Sequence, residues 1–288
     1  MVGDLVTDVL VVHHEPLAIG SDTAASITVA GGGQGANTAA WLAYAGCAVT
    51  LVAAVGDDPA GRDRVAELAE RGVRCAVRAH AGAVTGSVVV LASARERTMV
   101  TDRGAALLLD PADVTAAVAE ADAGHLHLSG YPLLNARSRP AGLAALAAAR
   151  DRGLTTSVDA ASAAPLRRAG PAFREWVRGV DLLFCNADEA DVLAGSGEPA
   201  EQARALAAVA RNVIIKQGAA GAVWCHAGGV VRSPAADPLP VVDPTGAGDA
   251  FAAGLLEAWC AGADPAAALT AGAALGADAV SRVGARPP

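Results

Sequence analysis

Short runs of apolar, β-branched residues alternate along the chain with alanine- and leucine-rich stretches of helical period. Residues 49–56 (VTLVAAVG) predict a strand and 61–72 (GRDRVAELAERG) a helix behind it. Residues 125–130, 139–153 and 154–160 repeat the order strand, helix, strand, and the unit returns in DLLFCNADEADVLAG, NVIIKQG and AGAVWCHAGG. Strands alternating with crossover helices predict an α/β fold around a central, mostly parallel sheet. Residues 9–29 and 85–101 break this rhythm, because they read as extended pieces or hairpins with no helix between them. They are expected to form a small β-sheet lid on a single domain spanning residues 1–288, since no linker or repeat divides the chain.

Composition supports a folded chain and narrows its partners. Hydrophobic residues make up 53% of the 288 and charged residues 18%, far from the composition of a disordered protein. With 22 basic against 30 acidic residues the net charge is −8, and Lys216 is the only lysine. No positive field collects nucleic-acid phosphates or an anionic membrane, so a small molecule is the expected partner. The five cysteines form no CxxC pair and read as reduced core residues of a cytoplasmic protein. The 34-residue uncharged run from Thr23 to Gly56 is long enough to cross a bilayer, but GGGQGANT at its centre would break a spanning helix. No signal peptide is read at the N-terminus, where Asp4 and Asp8 interrupt the apolar run.

The most informative stretch is VVDPTGAGDAFAAGLLEAW, residues 241–259: a strand end, a glycine-rich turn and an amphipathic helix starting near Gly248. A helix N-terminus behind small residues offers free N–H groups and the positive end of a dipole, here from Gly246, Ala247 and Gly248, to a phosphate or developing anion. Asp249 follows in the first turn, and a carboxylate beside an anion hole can take a proton from a hydroxyl while charge builds on a phosphoryl group. The plain alternative is a helix cap over a tight turn. A Walker A loop is excluded, since Lys216 follows no matching glycine pair. DPTG resembles the nucleophilic aspartate of aspartyl-phosphate enzymes, but the flanking elements of such an enzyme are not evident.

Two further stretches carry polar groups at helix starts. In AGGGQGANTAAWLAYAG, residues 30–46, bare backbone at Gly32 and Gly33 admits a compact polyol, and Asn37 offers it a donor and an acceptor. The spacing is not that of a dinucleotide-binding turn, and no acidic residue ends the next strand. In NADEADVLAG, Asn186 and Glu189 lie three apart and reach one site, which suits a hydrated Mg2+ on a nucleotide as well as it suits an ordinary helix cap.

In this order these residues resemble the ribokinase family of ATP-dependent carbohydrate and nucleoside kinases. The resemblance rests on GDLVTD (3–8), GGQGAN (32–37), VGDDPAG (55–61), LSGY (128–131), NADE (186–189), DPTGAGDAF (243–251) and SRVGA (281–285), of which DPTGAGDAF is the most specific. It implies a three-layer α/β sandwich with a β-sheet lid, and transfer of the ATP γ-phosphoryl group to a hydroxymethyl group of a sugar-like acceptor. Asp249 is then the base and Gly246, Ala247 and Gly248 the anion hole. Asp8, Gly32, Gly33 and Asn37 hold acceptor hydroxyls. Asn186 and Glu189 organise Mg2+ through water, while Lys216, Gly218 and Gly221 of IIKQGAAG lie along the nucleotide.

The resemblance also implies a monovalent cation such as K+ between the Asp243–Thr245 turn and backbone carbonyls of Ala279, Arg282 and Gly284. Three polar contacts of a ribokinase proper are missing, with Gln34 in place of a lysine, Val6 of an asparagine and Gly130 of a glutamate. Another sugar, a sugar acid or a nucleoside is therefore open as acceptor, although nine aromatic residues leave little to build a slot for a base. A ligand sensor on the same fold is disfavoured by the intact Asp249 and GAG turn. The family's first strand is short here, with only Met1 and Val2 before Gly3. His13, His14 and Arg97 fall in the lid; the two histidines read as solvated hairpin residues, and Arg97 reads equally as a solvated residue or as a lid arginine that neutralises an acidic substrate. The lid's strand edge or apolar face is expected to carry a homodimer, which a light-scattering mass checks.

Overall fold

The computed structural model describes residues 1–92, 97–234 and 241–288. Its strands are β1 (Val6–His13), β2 (Ala25–Gly32), β3 (Thr50–Gly56), β4 (Arg74–His80), β5 (Thr85–Ala92) and β6 (Arg97–Gly104), then β7 (His125–Ser129), β8 (Thr155–Asp159), β9 (Leu182–Asn186), β10 (Asn212–Lys216), β11 (Ala222–His226) and β12 (Gly229–Ser233). The helices are α1 (Gln34–Tyr44), α2 (Pro59–Glu70), α3 (Pro111–Glu120), α4 (Arg139–Asp151) and α5 (Ala163–Ala169), then α6 (Ala172–Trp176), α7 (Ala187–Ala194), α8 (Pro199–Leu206), α9 (Ala247–Cys260) and α10 (Pro265–Val280).

The large sheet runs in the order β12-β11-β10-β9-β8-β7, parallel from β10 to β7 and antiparallel at β11 and β12. The parallel pair β3-β4 joins it through Val2 alone, which bridges to Val52 on one side and Leu128 on the other. The short first strand read in the sequence is thus a single bridging residue.

Alternation along the central strands explains why they read as unbroken apolar runs. In β9, Leu183 and Cys185 enter a core with Val114, Ala145, Leu146, Leu193 and Leu206 of α3, α4, α7 and α8. Leu182 and Phe184 face the other way, onto Phe251, Leu255, Leu256 and Leu269 of α9 and α10. A strand buried on both faces needs apolar residues at every position, and helices on both faces make the three layers expected.

The extended segments form a second sheet in the order β2-β1-β5-β6. Its strands run further than predicted, so Asp8 lies within β1 and Gly32 ends β2. Ile27, Val29, Met99 and Val100 are exposed on it; residues 93–96 and the Arg97 side chain lie outside the described part. Two helices start earlier than the pattern predicted. Helix α2 starts at Pro59, because Asp58 caps it by accepting from Gly61 N at 2.7 Å and proline suits the first turn. Helix α1 starts at Gln34, directly behind Gly33. No helix among the described residues is long and apolar enough to cross a membrane.

Candidate active site

The parallel strands β7, β8, β9 and β10 end on Ser129, Asp159, Asn186 and Lys216, so four polar side chains gather at their carboxyl ends, where open α/β sheets place ligands. Helix α9 opens above them. Its N-cap, Gly246, is left-handed at φ 77°, and a β-carbon there would lie 2.3 Å from the Ala285 carbonyl oxygen, so glycine is required. Among the described residues no side chain caps the helix. Its first-turn N–H groups and dipole therefore lack a side-chain acceptor at the end that carries Gly248 and Asp249.

Lys216 projects from the end of β10 towards this N-terminus: a β-carbon on Gly248 would sit 3.3 Å from its Nζ. The ammonium donates to Asp159 Oδ2 at 2.6 Å, with the two side chains only 14% and 3% exposed. Burial works against the lysine's charge, but Asp159, Glu189 and Asp249 around it hold it above the ordinary lysine range. Asp159 Oδ1 accepts from Gln34 Nε2 at 2.9 Å and from Ala161 N at 3.0 Å. Gln34 Oε1 in turn accepts from Ser129 Oγ at 2.6 Å. The glutamine that replaces the family's lysine is therefore part of the site's polar framework.

On the acceptor side, Asn37 Nδ2 donates to Asp249 Oδ2 at 3.0 Å. Burial pushes the Asp249 carboxyl up to about 8; the Asn37 bond and Lys216 pull it down, while Asp159 and Asp4 push it further up. Asp8 packs against Gly32, where a β-carbon would lie 2.0 Å from Asp8 Oδ1. Gly33, at φ 99°, passes the backbone of Asp4, whose carbonyl oxygen a β-carbon would meet at 2.5 Å. All four residues read as acceptor contacts thus lie where the small sheet meets the N-terminus of α1.

Asn186 and Glu189 form the cap that was the plain reading of NADE. Glu189 N donates to Asn186 Oδ1 at 2.9 Å, and Asn186 N and Nδ2 donate back to the glutamate, each at 2.8 Å. Asn186 is exposed and Glu189 buried, and burial, then Asp159, raise the glutamic acid to about 7. Among the described residues no three His, Cys, Asp or Glu side chains group as metal ligands. A Mg2+ ion here would keep mostly water ligands. Beyond Lys216, Gly218 and Gly221 bound a short turn in positive-φ conformations.

The Asp243 carboxylate ties its own turn together. Asp243 Oδ1 accepts from Thr245 N at 2.9 Å and from the Thr245 hydroxyl, while Oδ2 accepts from Gly284 N at 3.0 Å. Val242 N and Asp243 N both donate to Val280 O. The loop before α9 is therefore stitched to the segment carrying Ala279, Arg282 and Gly284, although the Ala279 carbonyl already accepts from Arg282 N at 3.2 Å. His13, which bonds the Glu15 carbonyl at 2.7 Å, and exposed His14 show no tie to this site.

Sequence reading missed several groups. Asp4 is buried and accepts from Gly35 N at 3.1 Å and from Arg103 Nη1 at 2.8 Å, and Arg103 stacks 3.5 Å above the Tyr131 ring. Asp159 had one signal, its place at the end of a predicted parallel strand. Arg286 reaches the site from the far end of the chain, with no local signal at all.

The model of the pfkB family of carbohydrate kinases matches residues 1–288. A 2-dehydro-3-deoxygluconokinase of Thermoproteus tenax is 33% identical over 248 residues, covering 82% of this chain and 75% of its own. An ATP-dependent ribose-1-phosphate kinase of Halopiger xanaduensis is 32% identical over 287 residues, covering 96% and 88%. The crystal structure of an adenosine kinase from Sinorhizobium meliloti superposes with a TM-score of 0.91 at 24% identity, over 99% of this chain and 94% of that one, and shares the fold. The chain belongs to the pfkB family, the ribokinase-type kinases, and is an ATP-dependent carbohydrate kinase.

Proposed function

We propose that this kinase moves the γ-phosphoryl group of ATP to a hydroxymethyl group of a sugar or sugar-like acceptor, with Asp249 as general base and Gly246, Ala247 and Gly248 as the anion hole. The observation that carries the reading is the pairing of Asp249 with Asn37 in the first turn of a helix that no side chain among the described residues caps. A carboxylate there takes the hydroxyl proton as the hydroxyl oxygen attacks the γ-phosphorus and the bond to the bridging oxygen breaks, releasing ADP, and the N–H groups beside it stabilise the charge on the phosphoryl oxygens. Lys216 adds a fixed positive charge at the same point. Asp8, Gly32, Gly33 and Asn37 orient the acceptor, and the small sheet that carries Asp8 and Gly32 closes over it as a lid.

Asn186, Lys216, Gly218 and Gly221 lie along the nucleotide in this reading. Mg2+ on the nucleotide neutralises phosphate charge, with Asn186 and Glu189 ordering its water shell. Asn186→Ala and Glu189→Gln are expected to raise the Mg2+ concentration that gives half-maximal rate and to leave acceptor KM nearly unchanged. The Asp243 turn and the Ala279, Arg282 and Gly284 backbone suit K+ in the same reading. KCl should then raise the rate above a choline chloride control, and no K+-specific rise removes that ion.

ATP consumption measured against a panel of ketoses, aldoses, sugar acids, sugar phosphates and nucleosides tests the whole reading. Turnover with a sugar-like acceptor is the expected result. Turnover with nucleosides alone makes the same machinery a nucleoside kinase, and none with any acceptor overturns it.

A further inference from the structure

Arg286 lies over two hundred residues from the strands and helices it touches, yet its side chain is only 6% exposed. Two contacts bring it in. Trp41 Nε1 donates to the Ala285 carbonyl at 3.0 Å, and Gly246 packs against the same residue. All three guanidinium nitrogens are then engaged, two of them with residues of the acceptor wall. Nη2 donates to Gly32 O at 2.9 Å, Nη1 meets Glu67 Oε2 at 3.3 Å, and Nε donates to Asn37 Oδ1 at 3.2 Å. Even Gly31 is shaped by it, since a β-carbon there would lie 1.9 Å from Nη1.

An arginine has five donors and no acceptor, so the atom of Asn37 that faces it must be the carbonyl oxygen. That leaves the Asn37 NH2 group, and not its oxygen, pointing at Asp249. We propose that Arg286 is a positioning residue, which fixes the Asn37 amide so that an N–H group always faces the catalytic carboxylate. The inference rests on Asp249 being the base. Without Arg286 the amide can rotate and present oxygen to oxygen, an arrangement that only a protonated carboxyl tolerates. The effect on titration has one sign: losing a donor to the charged form moves the Asp249 pKa up.

The other charged or titratable groups around Asp249 share no hydrogen bond or ion pair with Arg286. They are Lys216 of β10, Asp159 of β8, Asp4 before β1 and Tyr131 after β7. Glu67 of α2, with Arg71 and Arg64 beside it, faces Arg286 from the opposite side. Glu67→Gln separates loss of that ion pair from loss of the Asn37 contact.

The experiment is the pH profile of kcat/KM with the acceptor found in the panel, for the native enzyme, Arg286→Gln, Arg286→Lys and Asn37→Ala, and for Arg286→Gln combined with Asn37→Ala. The acid limb is expected to move up by about one pH unit in Arg286→Gln, the size of a hydrogen bond to an ionised carboxylate. The KM for ATP should change little, while the high-pH plateau falls as far as Gly32 and Asn37, both bonded to Arg286, lose their hold on the acceptor. Arg286→Lys should recover part of the shift, and in the Asn37→Ala background Arg286→Gln should add none. An acid limb that stays in place, or a rate that falls equally at every pH together with ATP binding, overturns the proposal. If Arg286→Gln does not fold, Arg286→Lys and Asn37→Ala are read by the same shift, and an unmoved limb in both overturns it. A native profile with no acid limb instead removes Asp249 as the base, and the two failures are thereby distinct.

Discussion

Asp249→Asn is expected to lower kcat by ~10²–10⁴-fold, the usual contribution of a positioned general base. The substitution keeps shape and removes only basicity: Asn37 Nδ2, now 3.0 Å from Oδ2, meets an amide oxygen of the same size. Helix α9 loses no cap, because Asp249 does not cap it. Thermal melting by circular dichroism should hence be nearly unchanged, and the loss is catalytic. The pH dependence has a definite direction. Burial raises the Asp249 pKa to about 8, so the free enzyme carries its base protonated below that pH and ionised above it. The native kcat/KM should rise with pH through this range, and Asp249→Asn should flatten that limb. Near-native turnover in Asp249→Asn would show that the carboxylate only shapes the helix start.

What the sequence showed depended on how local the cause was. The runs LLFC and VII read as buried parallel strands, since both faces of β9 and β10 meet helices there and each of those positions had to be apolar. The turn at Gly246 was legible for the same reason: a left-handed residue pressed against Ala285 admits only glycine, so its requirement is written in one position. NADE could not be resolved, because a capping box and a pair that orders a hydrated ion ask for the same residues at the same spacing. Asp4 and Arg286 were invisible as site residues, and Asp159 showed only as the end of a predicted strand. Their roles come from partners far away in the chain, Lys216 and Gln34 for Asp159, Arg103 for Asp4, and Asn37 and Glu67 for Arg286. No window of sequence contains both ends of such a contact.

Lys216→Met is expected to act twice, and the two effects can be separated. It removes the positive charge beside Gly248, where phosphoryl oxygens gather charge, and loss of one such group from an anion hole costs ~10²–10³ in kcat. It also strands Asp159, which is 3% exposed and bonded to the ammonium at 2.6 Å, and breaking a buried pair on one side costs about 3–5 kcal/mol of stability. Lys216→Met alone should therefore both melt earlier and turn over slowly. Adding Asp159→Asn removes the stranded charge while an amide oxygen still accepts from Gln34 Nε2 and Ala161 N. The double variant should regain most of the melting temperature and almost none of the rate. Asp159→Asn by itself should leave Lys216 charged but less firmly aimed, with a smaller loss than either variant lacking the lysine. Recovery of rate along with stability in the double variant would reduce Lys216 to a counter-ion for Asp159. Recovery of stability alone places its charge on the phosphoryl group in flight, the one point in this site where a lysine held by three carboxylates can do work that Asp249 and the helix dipole do not.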